Sequence, residues 1–360
     1  YDKFMSSNRL QTNAKNIFDA LTVKSDSYKI PDYQRPYSWG KDEIDAIFDL
    51  IDTVREKPQD EDAFLGAIIL KPEGNSYYEV VDGQQRISTF YMIMIIFFDK
   101  FYKFYKNNQE AIDLNYPNLL TEHIKTHAEN LISTSRGNED RLKIVPAMED
   151  YKEFNDIIID DYLKELYEDF DLGRGKPLST AYFPKTPQFN TENKLPEVVT
   201  CIDDNLNFFL EDDYDDLKID EERLDKNLHT FKNFIETLKS IEIIEVELAD
   251  NHNPLEIFKS LNFAGIDLND IDLLKAEFMA LFPSDAIQDR VDFVENLWLP
   301  LLNKFRDGMT FKNPDFTSKA ALKYTENFLW PFALTIDHTI KQGEAAKRII
   351  SNFKDNGFDS

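Results

Sequence analysis

The sequence predicts an α/β protein of the α+β type, in which a small mixed sheet is followed by a largely helical region. Short segments that alternate apolar and polar residues, separated by turn-forming residues, occur in about the first 90 positions. After residue 86, apolar residues recur mostly at helical spacing. Glycine tolerates positive φ at little cost, so the tightest turns are expected where glycines concentrate. Four of the eleven glycines lie in the sheet region: Gly40, Gly66, Gly74 and Gly83.

The first elements are predicted to be two helices and three strands. Apolar spacing predicts helices at 13–21 and 41–57, and a short strand at 27–31. Two further strands, at 64–70 and 77–81, flank the segment KPEGNS, whose Pro, Gly and Asn are turn formers. The last two strands are therefore expected to pair as an antiparallel hairpin.

A long buried helix is predicted to follow this hairpin. The segment FYMIMIIFF, residues 90–98, is apolar throughout and is closed by Asp99 and Lys100. It is far shorter than the ~20 residues that a membrane-spanning helix needs. It is therefore expected to lie in the core.

The rest of the chain is predicted to be helical, apart from one irregular stretch and one strand. Residues 172–196 carry four prolines and no periodicity, and the acidic segment EDDYDD that follows lacks the glycine and glutamate of a calcium loop. The alternation at 241–248 predicts a strand. A helix from Pro254, a loop FAGIDLN and a second helix capped by Asn269 or Asp270 come next, followed by further helices.

Composition and charge exclude several classes of function. The 41 basic and 67 acidic residues give a net charge of −26, which argues against a broad DNA-binding surface, because clustered Lys and Arg supply non-specific DNA affinity. DNA is expected to meet only a local patch or a partner. The single Cys201 allows no internal disulfide and no thiolate zinc site, which suits a reducing cytoplasm. No signal peptide is visible, and a chain that begins with Tyr1 is expected to be a fragment or to have a trimmed terminus.

The segment EVVDGQQRISTF combines a strand end, a glycine turn and a helix start. A strand that turns through Gly83 into a helix leaves the first helical N–H groups unpaired, and these groups and the helix dipole favour an anion. Gln84 and Gln85 add neutral donors, and Arg86 adds a planar guanidinium suited to phosphate oxygens. Asp82 can cap the helix or hold Mg²⁺ through water. The structural alternative is that Asp82 only caps the helix and Arg86 only pairs with a surface carboxylate.

A second polar constellation lies in IPDYQRPYSW. Arg35 follows a predicted strand in a segment that Pro31 and Pro36 stiffen. Aromatic rings can stack on a base while a guanidinium binds phosphate, so this combination suits a nucleotide. The alternative is that the aromatic residues pack against the sheet, which is the interpretation favoured for Trp39. The aromatic residues are Tyr33, Tyr37 and Trp39.

Four ordered segments resemble the N-terminal domain of the GmrS/GmrD-type modification-dependent restriction endonucleases, a domain of ParB/sulfiredoxin-like fold. The segments are IPDYQRPYSW, FLGAIIL, VVDGQQRISTF and PLEIFKSLNFAGIDLNDIDLLKAEF, and the resemblance covers about residues 10–280. It implies a nucleotide-binding and nucleotide-hydrolysing module of an anti-phage defence system that recognises modified DNA. Mg²⁺ is the implied cofactor.

The resemblance also implies roles for individual residues. In relatives the Asp-Gly-Gln-Gln-Arg signature is required for NTP hydrolysis, and it maps to residues 82–86. The implied catalytic residues are Asp82, Gln84, Gln85 and Arg86, with Asp82 also the implied metal ligand. The implied nucleotide-binding residues are Tyr33, Gln34, Arg35, Gly83, Asn262 and Lys275.

Asn262 and Lys275 belong to a Leu-Asn-x-x-Gly…Asp-Leu-x-Lys element that also contains Gly265 and Asp272. From the residues alone, this element reads as two capped helices around a glycine turn. Its alternative role is packing only.

The resemblance leads to a predicted division of the chain. Residues 1–110 form a ParB-like α/β core, and residues 111–240 a helical region with an irregular acidic excursion at 172–222. Residues 241–282 return as a strand and a helix-loop-helix that complete the N-terminal domain, and residues 283–360 form a helical extension.

Two expected features of the wider superfamily are missing. Relatives that cleave DNA carry a C-terminal nuclease with a His motif, and the five histidines here are scattered. His123 and His127 have i,i+4 spacing, but Ile124 stands where a zinc protease has Glu, so a solvated helix face is expected. Sulfiredoxin chemistry is not expected, because Gln84 and Gln85 occupy the loop in which that relative needs a cysteine.

The leading hypothesis is an NTP-binding, Mg²⁺-assisted hydrolase that regulates a nuclease domain or subunit, with Arg35 and Arg86 together gripping the phosphates. The alternative is a non-catalytic sensor that binds a nucleotide or modified DNA and passes a conformational signal to its partner. A third hypothesis is that the domain itself nicks DNA. The net charge of −26 and the lack of a clustered carboxylate and histidine site disfavour nicking.

Overall fold

A computed structural model describes the chain at residues 10–22, 27–56, 63–73, 77–119, 124–132, 142–147, 150, 153–169, 194–210, 221–249, 251–263, 270–280, 282, 287–298, 300, 348–349 and 351. Contacts divide the chain into two compact units. The first comprises residues 1–31 and 36–252, and the second comprises residues 32–35 and 253–360.

The first unit contains a mixed sheet, which in the described residues has six strands. They are β1 (Gln11–Asn16), β2 (Ser27–Lys29), β3 (Ala63–Glu73), β4 (Tyr77–Asp82), β5 (Ile144–Val145) and β6 (Ile241–Glu247). Their order across the sheet is β1-β6-β3-β4-β2-β5. The pairs β1/β6 and β3/β4 are antiparallel, and the other neighbours are parallel. This mixed sheet with many helices confirms the predicted α+β class.

The predicted hairpin between β3 and β4 is confirmed. Leu70 pairs with Val80 and Lys71 with Glu79 in an antiparallel ladder. On its other side β3 pairs with β6, and the register of that pairing shifts between Phe64 and Gly66. Such a bulge bends the strand and re-aims the groups around it.

The helix predicted at 13–21 is wrong in its first half. Residues 11–16 form the edge strand β1, and the helix α1 runs only from Ile17 to Thr22. Lys15 of β1 donates to the buried Glu245 of β6 at 2.6 Å, and the hydroxyl of Tyr28 donates to the same carboxylate at 2.9 Å. Pairing with a strand 230 residues away therefore overrides the local helical pattern.

In the first unit the long α3 packs against several of the other helices. The helices described in this unit are α1 (Ile17–Thr22), α2 (Lys41–Glu56), α3 (Gln84–Asn107), α4 (Gln109–Asn115), α5 (Thr126–Ile132), α6 (Phe154–Leu163, a π-helix), α7 (Lys164–Asp169), α8 (Leu195–Phe209) and α9 (Glu221–Lys239). Every residue from 90 to 98 is buried, as predicted for this helix. Phe97 stacks on Phe234 with 4.5 Å between ring centroids, and Phe101 on Phe231 with 4.2 Å. These aromatic pairs fix α3 against α9.

Two helical predictions in this unit need correction. His127 does not lie on a solvated face: its ring is half-buried, 5.0 Å from that of Phe18 and 5.9 Å from that of Phe98. Helix α8 occupies residues 195–209 of the range 172–222, where irregular structure was predicted. Pro196 lies in its first turn, where a proline favours helix rather than breaking it.

The second unit contains the helices α10 (Pro254–Phe263), α11 (Asp270–Met279), α12 (Ile287–Phe293) and α13 (Val294–Trp298, a π-helix). The predicted helix from Pro254 is confirmed, and the Asn253 side chain caps it by accepting the Leu255 N–H at 3.0 Å. The second predicted helix begins at Asp270.

Several predictions lie outside the described residues. They concern residues 172–193, the EDDYDD segment, the loop at 264–269, His123 and most of residues 301–360. In the part of the chain that is described, no helix combines the length and apolar content needed to cross a bilayer.

Candidate functional site

The DGQQR segment forms a tight corner between β4 and α3. Gly83, between the two elements, has φ 89° and ψ 11°, in the left-handed region. A Cβ at this position would lie 2.6 Å from Cγ2 of Ile68 and 3.3 Å from the carbonyl oxygen of Ala67. Both the backbone angle and the close approach of β3 therefore require glycine here.

The first N–H groups of α3 precede the hydrogen-bond ladder of the helix. The first ladder bond runs from the Ile87 N–H to the Gly83 carbonyl at 3.1 Å. The N-cap is Gly83 and no side chain caps the helix, so the interpretation of Asp82 as the N-cap is wrong. The amides of Gln84, Gln85 and Arg86 thus lie at the positive end of the dipole of a 24-residue helix.

Arg86 is held by the bulged strand β3. Its Nη1 donates to the carbonyl oxygen of Ala67 at 2.9 Å and to that of Leu65 at 3.4 Å. Its Nη2 lies 3.6 Å from Oδ2 of Asp82, an ion-pair distance that is too long for a hydrogen bond. Gly66 provides the space, because a Cβ there would lie 2.2 Å from Nη1. Arg86 therefore binds the corner to β3 and faces the carboxylate of its own motif.

Gln85 ties the start of α3 to the loop at residues 36–40. Its Oε1 accepts the N–H groups of Ser38 at 3.0 Å and Trp39 at 3.4 Å, and its Nε2 donates to the Pro36 carbonyl at 3.4 Å. Trp39 packs against the hydrophobic core, which confirms its packing role. The buried carboxamide of Gln85 thus satisfies backbone groups of the loop.

A small recess opens beside Gln84 at the same helix start. Its cavity of about 10 Å³ has room for about one water molecule. The polar residues that line it are Gln84, Gln85, Ser88, Tyr37 and Asp150. Asp150 is buried, and its Oδ2 accepts the Tyr37 N–H at 2.9 Å. Asp82 and Arg86 do not line this recess, so the side chains of the motif point in two directions.

Tyr37 connects the loop to the second turn of α3. Its hydroxyl lies 2.6 Å from that of Thr89, which donates to the Gln85 carbonyl at 2.8 Å, so Tyr37 is the donor to Thr89. Burial raises the pKa of Tyr37 above its ordinary value, and the nearby carboxylates of Glu43 and Asp150 raise it further. The hydroxyl therefore stays protonated and keeps this contact at neutral pH.

The second unit brings together residues of the other two predicted motifs. Nζ of Lys275, on α11, donates to the carbonyl oxygen of Gln34 at 2.9 Å, and both residues are buried. The ring of Tyr33 lies 5.6 Å from that of Phe258, on α10. The Tyr-Gln-Arg segment is thus held by α10 and α11, although 241 positions in the sequence separate Gln34 from Lys275.

The remaining predicted residues are placed only in part. Arg35 is half-buried. Asn262 lies in the last turn of α10 and Asp272 in the first turn of α11, but their side chains and all of Gly265 lie outside the described residues. The joint grip of Arg35 and Arg86 on a phosphate stays a prediction.

The described residues contain no group of three or more His, Cys, Asp or Glu side chains arranged to hold a metal ion. Asp82 presents a single half-buried carboxylate near Arg86. Mg²⁺ is usually held by one or two protein carboxylates together with substrate phosphates and waters. Asp82 therefore suits Mg²⁺ that arrives with a phosphorylated ligand, and this assignment stays a prediction.

Sequence reasoning missed the roles of Asp150 and of Gly66. A glycine inside a strand pattern indicates a bulge or a close approach, so Gly66 carried a usable signal. Asp150 is a single carboxylate in a segment without a motif, and no pattern in the sequence indicates its place beside Tyr37.

One comparison with known proteins gives a match. The model of a family described as the N-terminal domain of the GmrSD restriction endonuclease matches residues 15–279. The matched range includes the corner at Gly83, the Tyr-Gln-Arg segment and Lys275. No curated protein matches the chain.

Proposed function

Because the chain belongs to the family of GmrSD restriction endonuclease N-terminal domains, and so is a component of a restriction endonuclease system, we propose that it binds and hydrolyses a nucleoside triphosphate at the start of α3. The observation that carries this proposal is the corner at Gly83. Within four residues, this corner combines three backbone N–H groups, the positive end of a long buried helix and an arginine.

The phosphates are proposed to bind the amides of Gln84, Gln85 and Arg86. Phosphoryl transfer depends mostly on positioning and on stabilising charge, so fixed donors suit it. The bonds of Arg86 to Leu65 and Ala67 hold the guanidinium plane in one orientation before any ligand arrives. Its positive charge can act on a phosphate without a change of rotamer.

The catalytic roles of the four motif residues are proposed to differ. Arg86 stabilises charge on the transferred phosphoryl group, and Gln84 donates from the recess that it lines with Asp150. Gln85 positions the loop at 36–40 through its three backbone contacts. Asp82 holds Mg²⁺, which when bound neutralises phosphate charge.

By the family resemblance, Tyr33, Gln34, Arg35 and Lys275 are also proposed as nucleotide-binding residues. Lys275 fixes the backbone of Gln34, and this bond orders the segment that carries Tyr33 and Arg35. Asn262 is proposed as a further binding residue. Hydrolysis is proposed to regulate a nuclease domain or subunit, with DNA contacted through that partner or a local patch, because the net charge of −26 disfavours a broad DNA surface.

Phosphate release from each of the four common NTPs with Mg²⁺ tests the hydrolase. Turnover by the wild type is expected to fall at least about a hundredfold in Arg86→Ala, since removing one preorganised donor has an effect of that order. The matched control is Arg55→Ala, which removes an arginine from the outer face of α2. Gln84→Ala is the second variant, because Arg86→Ala also removes bonds to β3. A wild type as inert as Arg86→Ala, with both folded by circular dichroism, refutes hydrolysis.

A second candidate function is a nucleotide sensor without turnover. It is favoured by the commitment of the Gln85 and Arg86 side chains to intramolecular contacts, which stabilise the corner itself and leave neither side chain to act as a mobile catalytic group. Titration calorimetry separates the two candidates: saturable nucleotide binding without phosphate release supports the sensor, and binding with release supports the hydrolase.

A further inference from the structure

A second and larger cavity lies between α9 and the C-terminal part of α3. Its volume is about 550 Å³, within the range of small-molecule pockets. Phe101, which lines it, lies about 25 Å along α3 from Gln84 at 1.5 Å per residue. The cavity is therefore separate from the corner at Gly83.

The floor of this cavity is apolar. It is made of Phe101 from α3, Leu119 from the segment after α4, and Leu228 and Ile235 from α9. On α9 the lining residues recur at helical spacing, so a single face of this helix forms one wall. The apolar floor gives a ligand a hydrophobic surface to bury.

Both carboxylates in the wall already have partners. Asp225 accepts a hydrogen bond from the hydroxyl of Tyr116. Glu236 pairs with Nζ of Lys239 at 3.0 Å. Lys239 therefore offsets the negative charge of Glu236. Asp225 keeps its charge, because a hydroxyl donor is neutral, and it lies at an exposed position seven residues before Lys232 on α9.

Two side chains in the wall, His229 and Lys232, have hydrogen-bond donors that can bind a ligand. The Nδ1 atom of His229 lies 3.0 Å from Nδ2 of Asn233, and since an amide nitrogen only donates, the proton of the neutral imidazole lies on Nε2. The exposed Lys232 makes no hydrogen bond or ion pair within the described part of the chain. An ammonium without a carboxylate partner beside an apolar cavity is a local donor for an anionic head group.

We propose that this cavity binds an amphipathic organic anion. The apolar body of the ligand packs on Phe101, Leu119 and Ile235, and its carboxylate or sulfonate head binds Nζ of Lys232 and Nε2–H of His229. This site is independent of the proposed nucleotide site, so either can fail without the other.

Fluorescence titration with 8-anilino-1-naphthalenesulfonate tests the proposal, because this probe has an aromatic body and a sulfonate head. A saturable enhancement with one probe per chain is expected for the wild type. Lys232→Glu is expected to weaken the affinity about tenfold or more, as for loss of a charge-assisted bond. Leu228→Trp, which fills the cavity, is expected to abolish binding. The matched control is Lys226→Glu, the same charge reversal at an exposed position of α9 outside the cavity.

Competition tests the head group. Decanoate is expected to displace the probe at concentrations at which 1-decanol, its uncharged counterpart, does not. Near-ultraviolet circular dichroism confirms that each variant is folded, because loosely packed states also bind this probe. The proposal is overturned by non-saturable fluorescence, by equal affinity of the wild type and folded Lys232→Glu, or by equal displacement by decanoate and decanol.

Discussion

Replacing Gly66 by alanine is predicted to act through Arg86. A Cβ at this position would lie 2.2 Å from Nη1 of Arg86, so the guanidinium must move away from the carbonyl groups of Leu65 and Ala67. The backbone angle adds a second cost, because Gly66 has φ 113°, where a residue with a side chain is strained. Both costs follow from one methyl group.

The size of the effect can be divided between these two causes. Backbone strain costs about 1–3 kcal/mol, and loss of the charge-assisted bonds of Arg86 costs about 1.5–3 kcal/mol. Gly66→Ala is thus expected to lower the free energy of unfolding by about 2.5–6 kcal/mol. In an Arg86→Ala background only the strain remains, so the two substitutions are expected to be non-additive by about 2 kcal/mol.

Urea unfolding of the wild type, both single variants and the double variant, followed by circular dichroism, measures this coupling. Gly40→Ala is the matched control, since a Cβ there meets Lys194 rather than Arg86 and the effect is expected to add to that of Arg86→Ala. Simple additivity of Gly66→Ala and Arg86→Ala would refute the assignment of Gly66 as the space for the guanidinium.

Two further predictions concern α3. Burial raises the pKa of Asp99 from 3.8 to about 6, so the folded state binds this proton more tightly and stability falls as pH rises between these values. Asp99→Asn is expected to remove this dependence of stability on pH and to be about 3 kcal/mol more stable than the wild type above about pH 7 by urea unfolding. The control Asp49→Asn, at an exposed position, is expected to change neither. An unchanged pH dependence in Asp99→Asn would show that Asp99 is not its cause. Gln85→Met is expected to speed amide hydrogen exchange at Ser38 and Trp39 about tenfold or more, because these two N–H groups lose their acceptor. Exchange there as slow as in the wild type or in the exposed Gln109→Met would exclude Gln85 as the support of the loop at residues 36–40.

Local patterns in the sequence were sufficient for the hairpin and for the helix that follows it. The apolar run at 90–98 and the turn formers between β3 and β4 are local signals, because each is complete within a few neighbouring residues. The helix and the hairpin could therefore be predicted without knowledge of the rest of the fold. The edge strand β1 could not be predicted in this way, because residues 11–16 are mostly exposed and owe their conformation to β6.

The candidate site was predictable in its residue types but not in its contacts. The DGQQR motif indicated a glycine corner, and Gly83 occupies it. The contacts of Gln85 with Pro36, Ser38 and Trp39 span 46 to 49 residues and depend on how the sheet places the loop. The Lys275 bond to Gln34 joins two segments that only the family resemblance had linked.

The path of the chain limits how this protein can be divided. The segment at 32–35 belongs to the second unit although residues on both sides of it belong to the first. A fragment that ends at His252 keeps Gln34 but loses Lys275, whose ammonium group donates to the Gln34 carbonyl. A fragment that begins at Asn253 keeps α10 and α11 but loses the segment 32–35 that these helices contact. Recombination that exchanges the C-terminal unit between relatives must therefore carry a matching tetrapeptide from near the N-terminus. A single crossover point cannot transfer both.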